Sequence, residues 1–261
     1  MREAASSRVD LRLEARDGGV IAFLTVDNRA KLNTLNRALM TDFIGKVEAL
    51  SQREDLRALV LSGAGDKAFI GGASIPEMAA LDRNSARDFI TLVHRTCDCL
   101  RRLPVPVIAK IDGYALGAGL EVAVSCDLRV ATNRAKFGMP EVKVGLPSVV
   151  EAALIPQLIG FGRARELLML GEIIDADTAL RWGLIERVVA SAALDAEVER
   201  VIASLLSAGP EAIRRQKALM QAWEKLPSDA AIQAGIDAFV ATFDSDEPMR
   251  MLGAFVNRKR D

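Results

Sequence analysis

Two glutamates stand where carboxylates are uncommon. Glu121 is flanked by Leu120 and Val122, and Glu141 follows Pro140 in the largely apolar run Phe137-Gly138-Met139-Pro140-Glu141-Val142. A carboxylate in apolar surroundings is costly unless it is paired or used. The two are therefore candidates for acid–base work, although each taken singly also reads as a solvated surface residue. The sequence has one histidine, His94. It falls in residues 86–95, whose alternating apolar and charged faces read as a helix with His94 at a surface or half-buried position. A Ser-His-Asp triad or a His-rich metal site would have to be built around that one residue. Acid–base chemistry in this chain falls on carboxylates.

Two small-residue loops accompany the glutamates. Residues 107–122 run from an apolar strand through Gly113-Tyr114-Ala115-Leu116-Gly117-Ala118-Gly119 into a helix carrying Glu121. The free N–H groups and positive dipole end of such a helix start suit an oxyanion or a phosphate. Gly117 and Gly119 would let a ligand come close to the backbone. The same loop also reads as a tight turn with close helix packing. It fits a dinucleotide fingerprint poorly, because the third glycine is missing and the helix is short. The second loop, Ala68-Phe69-Ile70-Gly71-Gly72-Ala73-Ser74-Ile75-Pro76-Glu77-Met78, follows a strand in the same way. Each loop could give one N–H to a single thioester oxygen, or be an ordinary strand-to-helix connection.

The elements needed to position these groups are legible in outline. Strand patterns cover residues 11–15, 20–26, 56–61, 105–111 and 128–131, and helical patterns cover 36–50, 85–102 and 117–125. After Pro147 the pattern turns helical, over 154–160, 163–170, 176–182, 193–208, 211–223 and 230–243, with strand character only near 184–189. This predicts a mixed α/β catalytic core over residues 1–192 and a helical C-terminal region over 193–261. Half of the 261 residues are apolar and 26% are charged, which suits a folded core and not a disordered chain. With 34 Lys+Arg against 35 Asp+Glu, the net charge of −1 gives no bulk attraction for nucleic acid. The longest uncharged stretch, 152–162, has eleven residues, whereas a membrane-spanning helix needs about 20 apolar ones. The first ten residues contain no apolar h-region, which speaks against a secretory signal. Three cysteines are too few for a disulfide framework or a four-ligand zinc site, and a cytoplasmic location is expected.

In combination these segments resemble the crotonase superfamily of enoyl-CoA hydratases and isomerases. The resemblance rests on Asp27-Asn28-Arg29-Ala30-Lys31-Leu32-Asn33-Thr34-Leu35, the two loops above, Cys126-Asp127, Phe137-Gly138-Met139-Pro140-Glu141 and a closing helix over 242–260. It implies a spiral of β-β-α turns with a C-terminal helical trimerisation region, and a homotrimer or hexamer. It implies Glu121 and Glu141 as the catalytic pair and the backbone N–H groups of Ala73 and Ala118 as the oxyanion hole. Arg29, Lys31, Phe255 and Arg258 are the implied contacts for coenzyme A, which belongs to the substrate; no further cofactor and no metal are expected. The implied activity is hydration of a trans-2-enoyl-CoA thioester to a 3-hydroxyacyl-CoA. Isomerisation, thioester hydrolysis and carbon–carbon cleavage are the alternatives on this scaffold. RNA binding, which some relatives achieve with a lysine-rich helix, fits less well, since residues 36–50 carry only Arg37 and Lys46 as basic residues.

Three positions depart from the family pattern. Ser74 stands for the usual aspartate of the first loop, and Ala118 for a glycine in the second. Gly145-Leu146-Pro147-Ser148-Val149-Val150-Glu151-Ala152-Ala153-Leu154 replaces a glycine-rich segment, containing Gln-Arg, near the acyl group. Within it, Ser148 and Glu151 have capping-box spacing, which predicts a helix starting near Ser148 and a structural role for Glu151. Contact of Glu151 with a polar acyl group or the catalytic water is the other reading.

Overall fold

The computed structural model describes residues 7–257. The chain opens as a hairpin in which β1 (Arg8–Arg16) pairs antiparallel with β2 (Gly19–Asp27). From there it winds as a spiral whose turns each give one strand to each of two sheets. These pairs are β3 (Leu56–Gly63) with β4 (Ala68–Ile70), β5 (Val107–Ile111) with β6 (Tyr114–Leu116), and β7 (Leu128–Thr132) with β8 (Lys136–Gly138). With β9 (Ile173–Asp175) and β10 (Arg187–Val189), the sheets have the orders β1-β2-β3-β5-β7-β10 and β4-β6-β8-β9. Pairing is parallel except for β1–β2 and β8–β9.

Helices α1 (Arg37–Leu50), α2 (Ile75–Met78), α3 (Arg83–Arg102) and α4 (Ala118–Val124) make the crossovers. α5 (Ile155–Leu170), α6 (Ala176–Trp182), α7 (Leu194–Leu206), α8 (Pro210–Trp223), α9 (Ser228–Thr242) and α10 (Glu247–Val256) follow. The stripe Leu39, Met40, Phe43, Ile44, Val47 and Leu50 of α1 is buried, and the Asn36 side chain caps it by accepting the Leu39 N–H at 2.8 Å. α3 starts at a capping box between Asp82 and Ser85. The first six residues of β3 are all buried, as a central parallel strand requires. One core lies between the sheets and helices α1, α3 and α4. A smaller one forms where Leu194, Val198, Val201 and Ile202 of α7 cover Ile21, Ala58, Val60, Ile108 and Val130 on the other face of the six-stranded sheet.

One expectation needs correction. The second sheet was not legible: β4 and β6 fall inside the segments read as loops, β8 falls at the start of the apolar run that holds Glu141, and β9 adds a strand after Pro147. The two helices expected at 154–160 and 163–170 are present within α5, whose helical stretches part at Gly160, where φ is 75° and ψ is 156°.

Candidate active site

A cavity of about 220 Å³ opens where the two loops meet the Glu141 segment, lined by Ala73, Gly117, Ala118 and Glu141 among others. The first loop is fixed by a parallel bridge between Leu35 and Ala73. In it the Leu35 N–H donates to the Gly72 carbonyl, and the Ser74 N–H donates to the Leu35 carbonyl, each at 2.8 Å. Because successive amides of an extended chain alternate in direction, the Ala73 N–H faces away from Leu35. Ala118 is the first residue of α4, where an N–H has no carbonyl of its own helix to bond. The Ala73 and Ala118 amides therefore border the same cavity.

Two glycines set how closely these parts approach. A Cβ on Gly119 would fall 1.9 Å from the Ile70 carbonyl oxygen, so α4 sits directly on β4. Gly117 has φ of 53° and ψ of −123°, and a Cβ there would fall 2.4 Å from Oε1 of Glu141. The space left by these glycines is filled by protein, by the Ile70 backbone in one case and by the Glu141 carboxylate in the other.

The two glutamates sit in unlike surroundings. Glu121, one turn after Ala118, is buried among the apolar residues of α4. Burial first, then the nearby charges of Glu141 and Glu151, push its pKa up to about 8, with the Ala152 N–H pulling the other way. Glu141 is in the 3-10 helix Pro140–Val144, is only half-buried, and accepts a hydrogen bond from Ser148 Oγ at 2.8 Å on Oε2.

Ser148 thus does not cap a helix, and the expected capping box is absent. The segment instead enters the 3-10 helix Val150–Leu154 with Val149 at its N-cap, and Glu151 is turned inward and buried. Its Oε1 lies 2.6 Å from His94 Nδ1. His94 is exposed as expected, but that pairing was not foreseen.

The implied coenzyme A contacts are dispersed. Arg29 and Lys31 form a 3-10 turn shortly before Thr34, which lines the cavity. The Arg29 guanidinium is held by Asp27 at 2.9 and 2.7 Å, whereas Lys31 is exposed and has no ion-pair partner among the described residues. Phe255 is 73% exposed on α10 and does not line the cavity. Arg258 lies outside the described residues. No group of three or more His, Cys, Asp or Glu among the described residues could hold a metal ion.

The family model for enoyl-CoA hydratase/isomerase matches residues 16–261. The chain belongs to the enoyl-CoA hydratase/isomerase family. It is 33% identical to the crotonyl-CoA hydratase of Syntrophomonas wolfei over 241 residues, covering 92% of this chain and 93% of that one. Identity to the short-chain-enoyl-CoA hydratase of Clostridium acetobutylicum is 31% over 243 residues, 93% of each chain. The crystal structure of an enoyl-CoA hydratase from Mycobacterium smegmatis superposes with a TM-score of 0.91 at 29% identity, covering 96% of this chain and 97% of that one. Against that family background, the feature sequence reasoning missed is the His94–Glu151 pair. The signal for it was present, since Glu151 lies between Val150 and Ala152 just as Glu121 lies between Leu120 and Val122.

Proposed function

We propose that this protein adds water across the double bond of a trans-2-enoyl-CoA thioester to give the 3-hydroxyacyl-CoA. The observation carrying this reading is the convergence on one cavity of Glu141 and the Ala73 and Ala118 amides, with Glu121 one helical turn behind. The thioester oxygen takes hydrogen bonds from the two amides, which favour the negative charge it gains as water attacks C3. The water oxygen bonds to C3 and the C2–C3 π bond breaks. One carboxyl takes the proton lost by water and the other gives a proton to C2, so the pair ends with the one proton it began with. Burial raises the cost of charging Glu121, and the Ser148 hydroxyl donates a hydrogen bond to Glu141.

Coenzyme A enters as part of the substrate, with no other cofactor and no metal. Lys31, with Arg29 beside it, is the phosphate contact offered by the same chain, and Phe255 and Arg258 complete the nucleotide end from a neighbouring subunit. That requires a homotrimer or a dimer of trimers, with no nucleic-acid partner. Among the described residues no helix is long and apolar enough to cross a membrane. A panel of 2-enoyl-CoA thioesters tests the reading: loss of the conjugated thioester absorbance should accompany a product heavier by one water. Of the two glutamates only Glu141 lines the cavity, which is all that double-bond isomerisation requires. A product of unchanged mass with a shifted double bond would put that reaction in place of hydration.

A further inference from the structure

Glu151 is a buried carboxylate that the proposed reaction does not use. Its 3-10 helix, Val150–Leu154, is packed against α3 and α4. The side chain is 7% exposed, and while Oε1 is bonded to His94, Oε2 is buried without a hydrogen-bond partner among the described residues. A carboxylate so placed is costly to the fold. The backbone is strained at the same point, because Val150, a β-branched residue, has a φ of 41°.

The charged and titratable groups facing Glu151 come from both helices packed against it. From α3 these are His94, Cys97 and, at longer range, Arg101, which lie along one stripe; from α4 it is Glu121, with Glu141 beyond it. Cys97 is fully buried, and burial together with the charges of Glu151 and Glu121 keeps it a neutral thiol. His94, with 49% of its side chain exposed, is the group in contact with solvent.

We propose that Glu151, paired with His94, is a positioning residue for the reaction, whose charge raises the cost of ionising Glu121. This rests on the reading that Glu121 and Glu141 divide the acid–base work. A like charge in a poorly solvated site raises the cost of ionising its neighbour. Burial already raises the Glu151 pKa and His94 pulls it down, so without the imidazole its charge is costlier and its field at Glu121 weaker. Removing either partner should therefore act on Glu121 in the same direction.

The test is an infrared pH titration of the whole protein, without substrate, in which the protonated-carboxyl band missing from Glu121→Gln identifies Glu121. In the wild type its midpoint should lie near 8. In Glu151→Gln it should move to lower pH by about half a unit or more, the least expected for a neighbouring charge in this setting. His94→Gln should move it the same way, and the double variant no further than Glu151→Gln. With crotonyl-CoA, the alkaline limb of kcat/KM should shift in step, while the rate at the best pH stays within about tenfold of wild type, less than the loss of a catalytic acid–base group costs. An unmoved midpoint in an active Glu151→Gln variant would overturn the proposal, leaving Glu151 a packing residue. A loss at every pH equal to that of Glu141→Gln would also overturn it, by making Glu151 an acid–base group itself. Should Glu151→Gln fail to fold, His94→Gln, altered on an exposed side chain, decides by the same midpoint. If the wild type hydrates no enoyl thioester, the hydratase reading fails, and the substrate-free midpoint still decides this one.

Discussion

Glu141 owes its position to a residue with no side chain. A methyl at Gly117 would meet its Oε1 at 2.4 Å, on a backbone whose φ is 53°. Gly117→Ala should displace the carboxylate and lower kcat/KM by on the order of 10²-fold, the cost of misplacing a reacting group by about 1 Å. Glu121→Gln and Glu141→Gln should each reduce kcat by on the order of 10²–10⁴-fold, and steady-state kinetics on folded variants would measure all three. Glu121 also makes a stability prediction. Its folded value of about 8 stands above the ordinary 4.5, so its contribution to stability is fully present below pH 4.5 and is lost as pH rises through 8. Glu121→Gln should therefore melt above the wild type at alkaline pH, with the difference closing toward pH 4.5. A difference independent of pH would show that burial does not hold the proton there. Glu121 and Glu141 were legible because their apolar flanks are local facts. Glu151 has such flanks too, but Ser148 supplied a local capping pattern, and the partner that decides its role, His94, is 57 residues away in sequence.

At the scale of elements, long periodic segments were readable and short ones were not. The buried stripe of α1 and the alternation in β2 run for enough residues to show their period. β4, β6, β8 and β9 have three residues each, too few for a period of two to register, so the sheet beneath the site was not read from the sequence. The docking of α8 on the core was equally hidden, because it includes a buried ammonium. Lys217 Nζ donates to the Leu100 carbonyl at 3.1 Å, the Val105 carbonyl at 2.9 Å and Asp127 Oδ2 at 2.8 Å. The same Asp127 oxygen accepts the Val107 N–H at the start of β5. Lys217→Met leaves these acceptors without their cation and should cost about 3 kcal/mol, measured by urea unfolding. A loss under about 1 kcal/mol, the level of an exposed pair, would mean that water replaces the ammonium there.

Across the whole molecule, the last two helices carry the densest run of apolar residues without cover among the described residues. Ile232, Ile236, Phe239 and Val240 of α9 and Met249, Leu252, Phe255 and Val256 of α10 are all exposed, Phe239 at 67%. A surface of this kind on one chain calls for a partner, and the expected partner is a second and third copy. Light scattering at micromolar concentration should give a trimer or hexamer; a monomer would count against placing Phe255 at a neighbouring coenzyme. The loop geometry serves one reaction, and that reaction is open to direct measurement. Crotonyl-CoA incubated with the protein in heavy-oxygen water should yield a 3-hydroxyacyl-CoA carrying the heavy oxygen on C3, at a rate that collapses in both Glu121→Gln and Glu141→Gln. A product free of heavy oxygen, or full hydration by Glu121→Gln, would contradict water addition by two glutamates.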